Sequence, residues 1–219
     1  MMDVKLLENN QVSIAGQVMT DYEFDHEVQG EKFYRIVVQI PRLSDKHDDI
    51  NVVVSEKMVD TSHNPTGAYV KVSGQFRSFN DRTGKKTKLR LFVFAKEIDQ
   101  IEAMPLTEDC NTVRLSGTLC KAPIYRKTPL GKIITDLVIA VNRLYGRSDY
   151  IPCIAWYEEA EVLRTAVVGD KITVTGRIQS REYDKHIDDE KVEKRIAYEM
   201  SISNLEEFDS AQMAEEAVV

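Results

Sequence analysis

The chain has 219 residues, 42% hydrophobic and 30% charged, with a formal net charge of −7. That length suits one large or two small domains, and no apolar run approaches the roughly 20 residues of a membrane helix. The start, Met1-Met2-Asp3-Val4-Lys5, lacks the charged-then-apolar order of a secretory signal, and the three cysteines, Cys110, Cys120 and Cys153, form no CxxC pair. An odd, scattered cysteine count argues against a disulfide framework and for reduced thiols in a cytoplasmic protein.

In chain order, the first predicted strands are Val12–Val18, Phe33–Ile40, Ile50–Val54, Tyr69–Phe76 and Leu89–Ala95. Each alternates apolar and polar residues or is rich in β-branched ones. A second set follows at Val113–Leu119, Ile134–Val141, Ile151–Ala155, Lys171–Ile178 and Ile196–Ile202. The two sets are one pattern written twice. NQVSIAGQV at Asn10 resembles NTVRLSGTL at Asn111, and FYRIVVQIPR ending at Arg42 resembles ITDLVIAVNR ending at Arg143. Both pairs are offset by 101 positions. GAYVKVSG ending at Gly74 resembles GDKITVTG ending at Gly176 at an offset of 102. A period of that size is duplication of a whole domain. Gly16, Gly74, Gly117 and Gly176 interrupt strand patterns and mark bends where a sheet curls on itself.

Between the third and fourth strands of the second copy, Ala160, Leu163, Ala166 and Val167 fall on one face of a predicted helix, Glu158–Val167, with Gly169 as its stop. The first copy has Pro65 and few apolar residues over Ser55–Thr66, which predicts a short turn. Five strands with a helix between the third and fourth is the oligonucleotide-binding (OB) layout. The expectation is an all-β chain of two tandem five-stranded OB-fold barrels, 1–105 and 106–208, with an acidic tail over 209–219.

The acidic net charge is unevenly placed. Glu206, Glu207, Asp209, Glu215 and Glu216 end the chain with no Lys or Arg among them, so the rest carries 29 basic residues against 31 acidic ones. A nearly neutral body can still present a basic groove, and an acidic tail can compete for it.

Four phrases in the second copy carry a sharper signal. KTPLG at Lys127, AVNR at Ala140, IPCIAW from Ile151 with Ala160-Glu161 after it, and GRIQSREY ending at Tyr183 stand in the order and spacing of one family. From about Asn111 to Phe208 the chain resembles the bacterial single-stranded DNA-binding protein family. The resemblance implies base stacking on Tyr145, Tyr150, Trp156 and Tyr183. Every base has a π-face, so stacking tolerates any sequence. An aromatic in a β-domain also packs in cores, and Trp156 stands open between the two roles. Tyr145, Tyr150 and Tyr183, at strand ends and a hairpin, favour binding. The familiar members use more tryptophan here.

Phosphates call for cations on the same face. Arg126, Lys132, Arg143, Arg147, Arg177 and Arg181 are the candidates, with solvated surface charge as the alternative for each. Arg177 and Arg181 share a strand face, and Arg143 and Arg147 flank Tyr145.

The first copy has Ser55 where the second has Trp156 and Asp49 where it has Tyr150. The expectation is a degenerate barrel that has lost the stacking platform and serves chiefly as a structural partner. Its fourth–fifth hairpin, with Phe79, Arg82, Lys85, Lys86 and Lys88, is an auxiliary basic element. Some members of the family carry two barrels in one chain and dimerise, and resemblance to these implies a homodimer of four barrels. The family's acidic Pro-Phe tip is not found at Ala217-Val218-Val219, so recruitment of replication and repair proteins by that route is not expected.

Neither a P-loop, a GxSxG phrase nor a Gly-rich nucleotide motif occurs, and the four histidines lie apart from Cys or carboxylate partners at metal-ligand spacing. No enzyme, cofactor or metal is expected. The rival to DNA binding is a protein-interaction module, with a primosomal accessory protein between the two.

Overall fold

The computed structural model describes residues 8–42, 44–82, 87–105, 110–186 and 192–210. Its first half runs β1 (Asn10–Val18), β2 (Glu23–Val28), β3 (Glu31–Pro41), β4 (His47–Ser55), β5 (Tyr69–Asp81) and β6 (Lys88–Ile101). The second half runs β7 (Asn111–Leu119), β8 (Ile124–Lys127), β9 (Ile133–Asn142), β10 (Ser148–Trp156), α1 (Tyr157–Leu163), β11 (Lys171–His186) and β12 (Val192–Asp209).

Each half closes on itself. In the first, β1 pairs with both β3 and β5, β3 with β4, β4 with β6 in parallel, and β6 with β5. The second repeats this order, with β7 pairing with β9 and β11, β9 with β10, β10 with β12 in parallel, and β12 with β11. These are the closed five-strand circuits of OB barrels, joined to an extra edge strand, β2 or β8. Closure needs a close approach. At Gly117 a Cβ would sit 2.5 Å from the Ala140 carbonyl oxygen, and at Gly16 one would sit 2.4 Å from that of Gln39. Only glycine lets the first strand of each barrel cross the second.

The predicted strands all appear, most of them longer. The additions are β2 and β8, whose residues are exposed or half-buried and so show no apolar alternation. The helix is shorter than predicted and stops at Leu163. Beyond it, Thr165 and Ala166 bond back only three residues, to Val162 and Leu163, which tightens the chain into turns before Gly169. The first barrel has turns in place of the helix.

The two barrels are one sheet. β1 and β7 pair antiparallel about Val12 opposite Val113, which are equivalent residues of the repeat, so a pseudo-twofold axis passes between them. Away from that axis the barrels clasp each other twice. Arg143 donates through Nε to Asp149 Oδ2 at 2.6 Å and reaches the Ser78 carbonyl of the first barrel at 2.9 Å. Asp149 accepts from the Ser78 backbone N–H at 2.6 Å, and Ser78 Oγ accepts from the Tyr150 N–H at 2.8 Å. The mirror clasp uses Arg42, Asp48 and Ser180. Arg42 donates to Asp48 at 2.8 Å and to the Ser180 carbonyl at 2.8 Å, while Ser180 N–H donates to Asp48 at 2.6 Å. Asp48 and Asp149 are each 1% exposed, and these donors supply the hydrogen bonds that such buried carboxylates need.

Candidate nucleic-acid interface

The outer face of the second barrel is built from β8, β9, β10, β12 and β11. Inward residues of β10 (Ile151, Cys153, Ala155) are buried in the core. By the period of two, Tyr150, Pro152, Ile154 and Trp156 face outward. Across the ladders, Trp156 lies opposite Ile134 and Ile134 opposite Arg126, while Ile154 lies opposite Ser201 and Ser201 opposite Arg177. Gln179, Arg181 and Tyr183 continue the Arg177 face along β11. These residues therefore share one side of the sheet from the β8 edge to the β11–β12 hairpin, with Ile134, Ile154 and Ser201 buried between the exposed ones.

On that surface Tyr150 is 47% exposed and Tyr183 36%, so both offer a ring face to solvent. Trp156 is half-buried: its indole N–H donates to Ser201 Oγ at 3.0 Å, and Lys132 Nζ lies 5.6 Å from its ring centroid. Trp156 is not a residue of the barrel core. Tyr145 falls in a 3-10 turn, Leu144–Gly146, between Arg143 and Arg147.

The cations divide into two groups. Lys132, Arg147 and Arg181 are exposed on or beside this face. Arg126 is exposed too but pairs with Asp136, donating from Nη2 at 3.2 Å. Arg143 and Arg177 are engaged by the protein itself. Arg143 is committed to Asp149 and Ser78, as described, and Arg177 donates to Asp48 at 3.0 Å. Both neutralise buried carboxylates, so the charge offered to phosphates on this face is smaller than six cations would give. Neither buried aspartate carries a sequence signal of its own, since each sits in a polar stretch and meets its serine only when the barrels dock.

The first barrel differs from expectation as well. Ser55 and Asp49 do stand where the second barrel has Trp156 and Tyr150, and Ser55 is buried. Yet its outer face is not bare of rings. Phe33 and Phe94 pack at 5.6 Å, His26 stacks on Phe33 at 4.8 Å and 7°, and the Arg77 guanidinium lies 5.4 Å from the Phe94 centroid. Phe94 stands on the strand equivalent to that of Ser201, so the aromatic character has moved to other strands. Asp25, beside His26, pairs with Arg90 at 2.7 Å. Burial opposes its ionisation, but the hydrogen bonds from Arg90 and His26 prevail and hold the carboxyl below its usual range. On the auxiliary hairpin, Phe79 is 55% exposed and Arg82 and Lys88 are exposed, whereas Lys85 and Lys86 lie outside the described residues. So do the last nine residues of the predicted acidic tail.

Burial pushes the Cys153 thiol well above its ordinary range, which leaves it a core residue and not a nucleophile. Among the described residues no group of three or more His, Cys, Asp or Glu could hold a metal ion, and no helix is long and apolar enough to cross a membrane.

Residues 110–207 match the model of the Single-strand binding protein family. The matched segment is the second barrel. Single-stranded DNA-binding protein 1 of Lactococcus lactis is 37% identical over 81 residues, covering 34% of this chain and 54% of its own. The single-stranded DNA-binding protein of Halalkalibacterium halodurans is 36% identical over 83 residues, covering 35% and 49%. The chain thus spans about half the length of the curated relatives it matches. The solved single-stranded DNA binding protein from Thermus aquaticus aligns over 90% of this chain and 91% of its own with a TM-score of 0.68 and 20% identity. A deletion mutant of it aligns with a TM-score of 0.70 and 22% identity, over 90% and 93%. That likeness establishes a shared two-barrel fold.

The clasp assigns Arg143 a structural duty that a phosphate ligand would not have. Arg143→Gln leaves Asp149 buried with its main donor gone, and is expected to destabilise the protein by about 3–5 kcal/mol in urea unfolding. A variant of wild-type stability with only weaker DNA binding would return Arg143 to the phosphate role.

Proposed function

We propose that this chain binds single-stranded DNA without sequence preference, along the outer face of its second barrel. The observation that carries this is the pair of solvent-facing rings, Tyr150 and Tyr183, on the same side of the sheet as Trp156, within the segment that matches the single-strand binding family. Bases stack on these three rings and on Tyr145. Lys132, Arg147 and Arg181 neutralise the phosphates between them, and Arg126 contributes where DNA displaces Asp136. Binding of this kind protects exposed strands during replication, recombination or repair, as a cytoplasmic protein. The first barrel acts mainly as the structural partner, with Phe79, Arg82 and Lys88 of its hairpin, together with Lys85 and Lys86, adding contacts to the backbone.

Replacing Tyr145, Tyr150 and Tyr183 together with Ala is expected to lower affinity for an oligo-dT by about 3 kcal/mol or more, roughly a hundredfold, with the fold intact. Fluorescence anisotropy measures the affinity, and circular dichroism the fold. Unchanged binding by a folded triple variant would sink the reading and leave the protein-interaction module as the better one.

The same reading extends to assembly. β1 and β7 already pair within the chain, so two chains bring four barrels together as a homodimer. Sedimentation velocity at micromolar concentration is expected to give a species of twice the 25.0 kDa chain mass. A monomer across that range contradicts the dimer and leaves the binding face untouched.

A further inference from the structure

The two clasps are related by pseudo-symmetry, and beside each lies a cavity between the barrels. Beside Asp149 the cavity measures about 820 Å³, and beside Asp48 about 500 Å³. Their linings differ in charge. The smaller holds Arg42, Lys46 and Arg181 against Asp45, Asp49 and Glu182, an even balance. The larger holds Arg77, Lys96, Arg143 and Arg147 against Asp149 alone. Arg143 and Asp149 neutralise each other, which leaves Arg77, Lys96 and Arg147 in excess.

Arg77 is the most buried of these. Its side chain is 23% exposed, and its nearest carboxylate oxygen, on Asp149, stands 3.9 Å away. Asp149 already accepts from Arg143 and from the Ser78 N–H. Arg77 Nη2 donates to Gln75 at 2.5 Å, and its Nε is buried with no hydrogen-bond partner. Burial first, then the like charge of Arg143, pulls the guanidinium below the usual arginine range. A largely buried cation beside a second cation, with its carboxylate already taken, is an unsatisfied charge at the wall of an open cavity. The mirror position does not reproduce it. Gln179 stands there, and the arginine on that side, Arg177, is the counterpart of Gln75 and makes a 3.0 Å bond to Asp48.

We propose that this larger cavity is a phosphodiester site that carries a single DNA strand across the junction from the second barrel to the first. The proposal rests on the DNA reading above and deepens it. The ligand must be a compact anion that accepts from several donors at once, which describes a phosphate. The location points to a phosphate of the bound strand. Arg147 and the turn bearing Tyr145 form one wall, and the backbone N–H of Tyr150 is tied to Ser78, next to Arg77 in sequence. A strand leaving the Tyr150 ring therefore meets Arg147, then Arg77 and Lys96. Beyond Arg77 lies the Phe94–Phe33 ring pair of the first barrel. The path is one-sided, through the cationic junction and not through the balanced one.

The test uses the whole chain and two labelled oligo-dT probes, about 12 nucleotides, within reach of one barrel, and about 30, long enough for two. For Arg77→Gln/Lys96→Gln, binding of the longer probe is expected to fall about tenfold, and its salt slope by about 1.4, at about 0.7 per lost contact. Binding of the shorter probe is expected to change less than twofold. Lys96→Gln alone, at an exposed residue, is expected to reduce the slope by about 0.7 and keeps the test valid if the double variant does not fold. Lys46→Gln, at the balanced junction, is expected to leave both probes unchanged.

A folded double variant that binds the longer probe within twofold of the parent would overturn the proposal, as would Lys46→Gln weakening it as much as Lys96→Gln. So would inorganic phosphate, at matched ionic strength, raising the melting temperature of the parent but not of the double variant while DNA binding stays equal. That result would make the cavity a free-anion site. Failure of the parent chain to bind either probe would instead refute the DNA reading itself.

Discussion

The structure depends on two carboxylates buried between its barrels. Asp48 and Asp149 are each about 1% exposed, and each is held by an arginine from its own barrel and a serine N–H from the other. A buried charge is tolerable only when its hydrogen bonds are complete. Here completion requires both barrels, in one relative orientation. The interaction therefore sets geometry more than it adds stability, since a well-packed apolar pair in its place would also hold. The β1–β7 ladder links the twelve strands of the described residues into a single sheet.

That orientation has functional content. The Tyr150 N–H is bonded to Ser78, so the first aromatic of the second barrel's outer face is anchored to the first barrel. The same clasp uses up Arg143 and leaves Arg77 short of a partner, which is how a structural contact comes to border a cationic cavity. On the mirror side, Arg177 binds the buried aspartate directly and the surrounding charges balance. The two junctions differ at equivalent strand positions, where Gln75 and Arg77 of one correspond to Arg177 and Gln179 of the other.

Much of this was legible in the residues. The strands came from alternation, and the repeat from blocks such as Asn10–Val18 and Asn111–Leu119, because a barrel wall with one wet face must alternate. What escaped detection lacks that signature. β2 reads EFDHEV and β8 reads IYRK, edge strands exposed on both sides. The outer halves of β11 and β12 project beyond the barrel, so no core imposes a pattern on them. The residues proposed for the binding face came from resemblance to a family. Their separation into free cations and committed ones was not, because Ser78 and Ser180 meet Asp149 and Asp48 only through the pseudo-twofold pairing. The Phe33–Phe94 pair escaped for a related reason: its rings occupy strands other than those that carry Tyr150 and Trp156.

The central claim is that paired burial of Asp48 and Asp149 makes two barrels one cooperative unit. Urea unfolding followed by two probes tests it most directly. Trp156, the only tryptophan in the chain, reports on the second barrel, while far-ultraviolet circular dichroism reports on the strands of both. The account predicts coincident transitions for the wild type, and separated ones once Asp48→Asn/Asp149→Asn removes both charges. Separated transitions in the wild type, with the tryptophan signal lost at a different urea concentration from the strand signal, would contradict it.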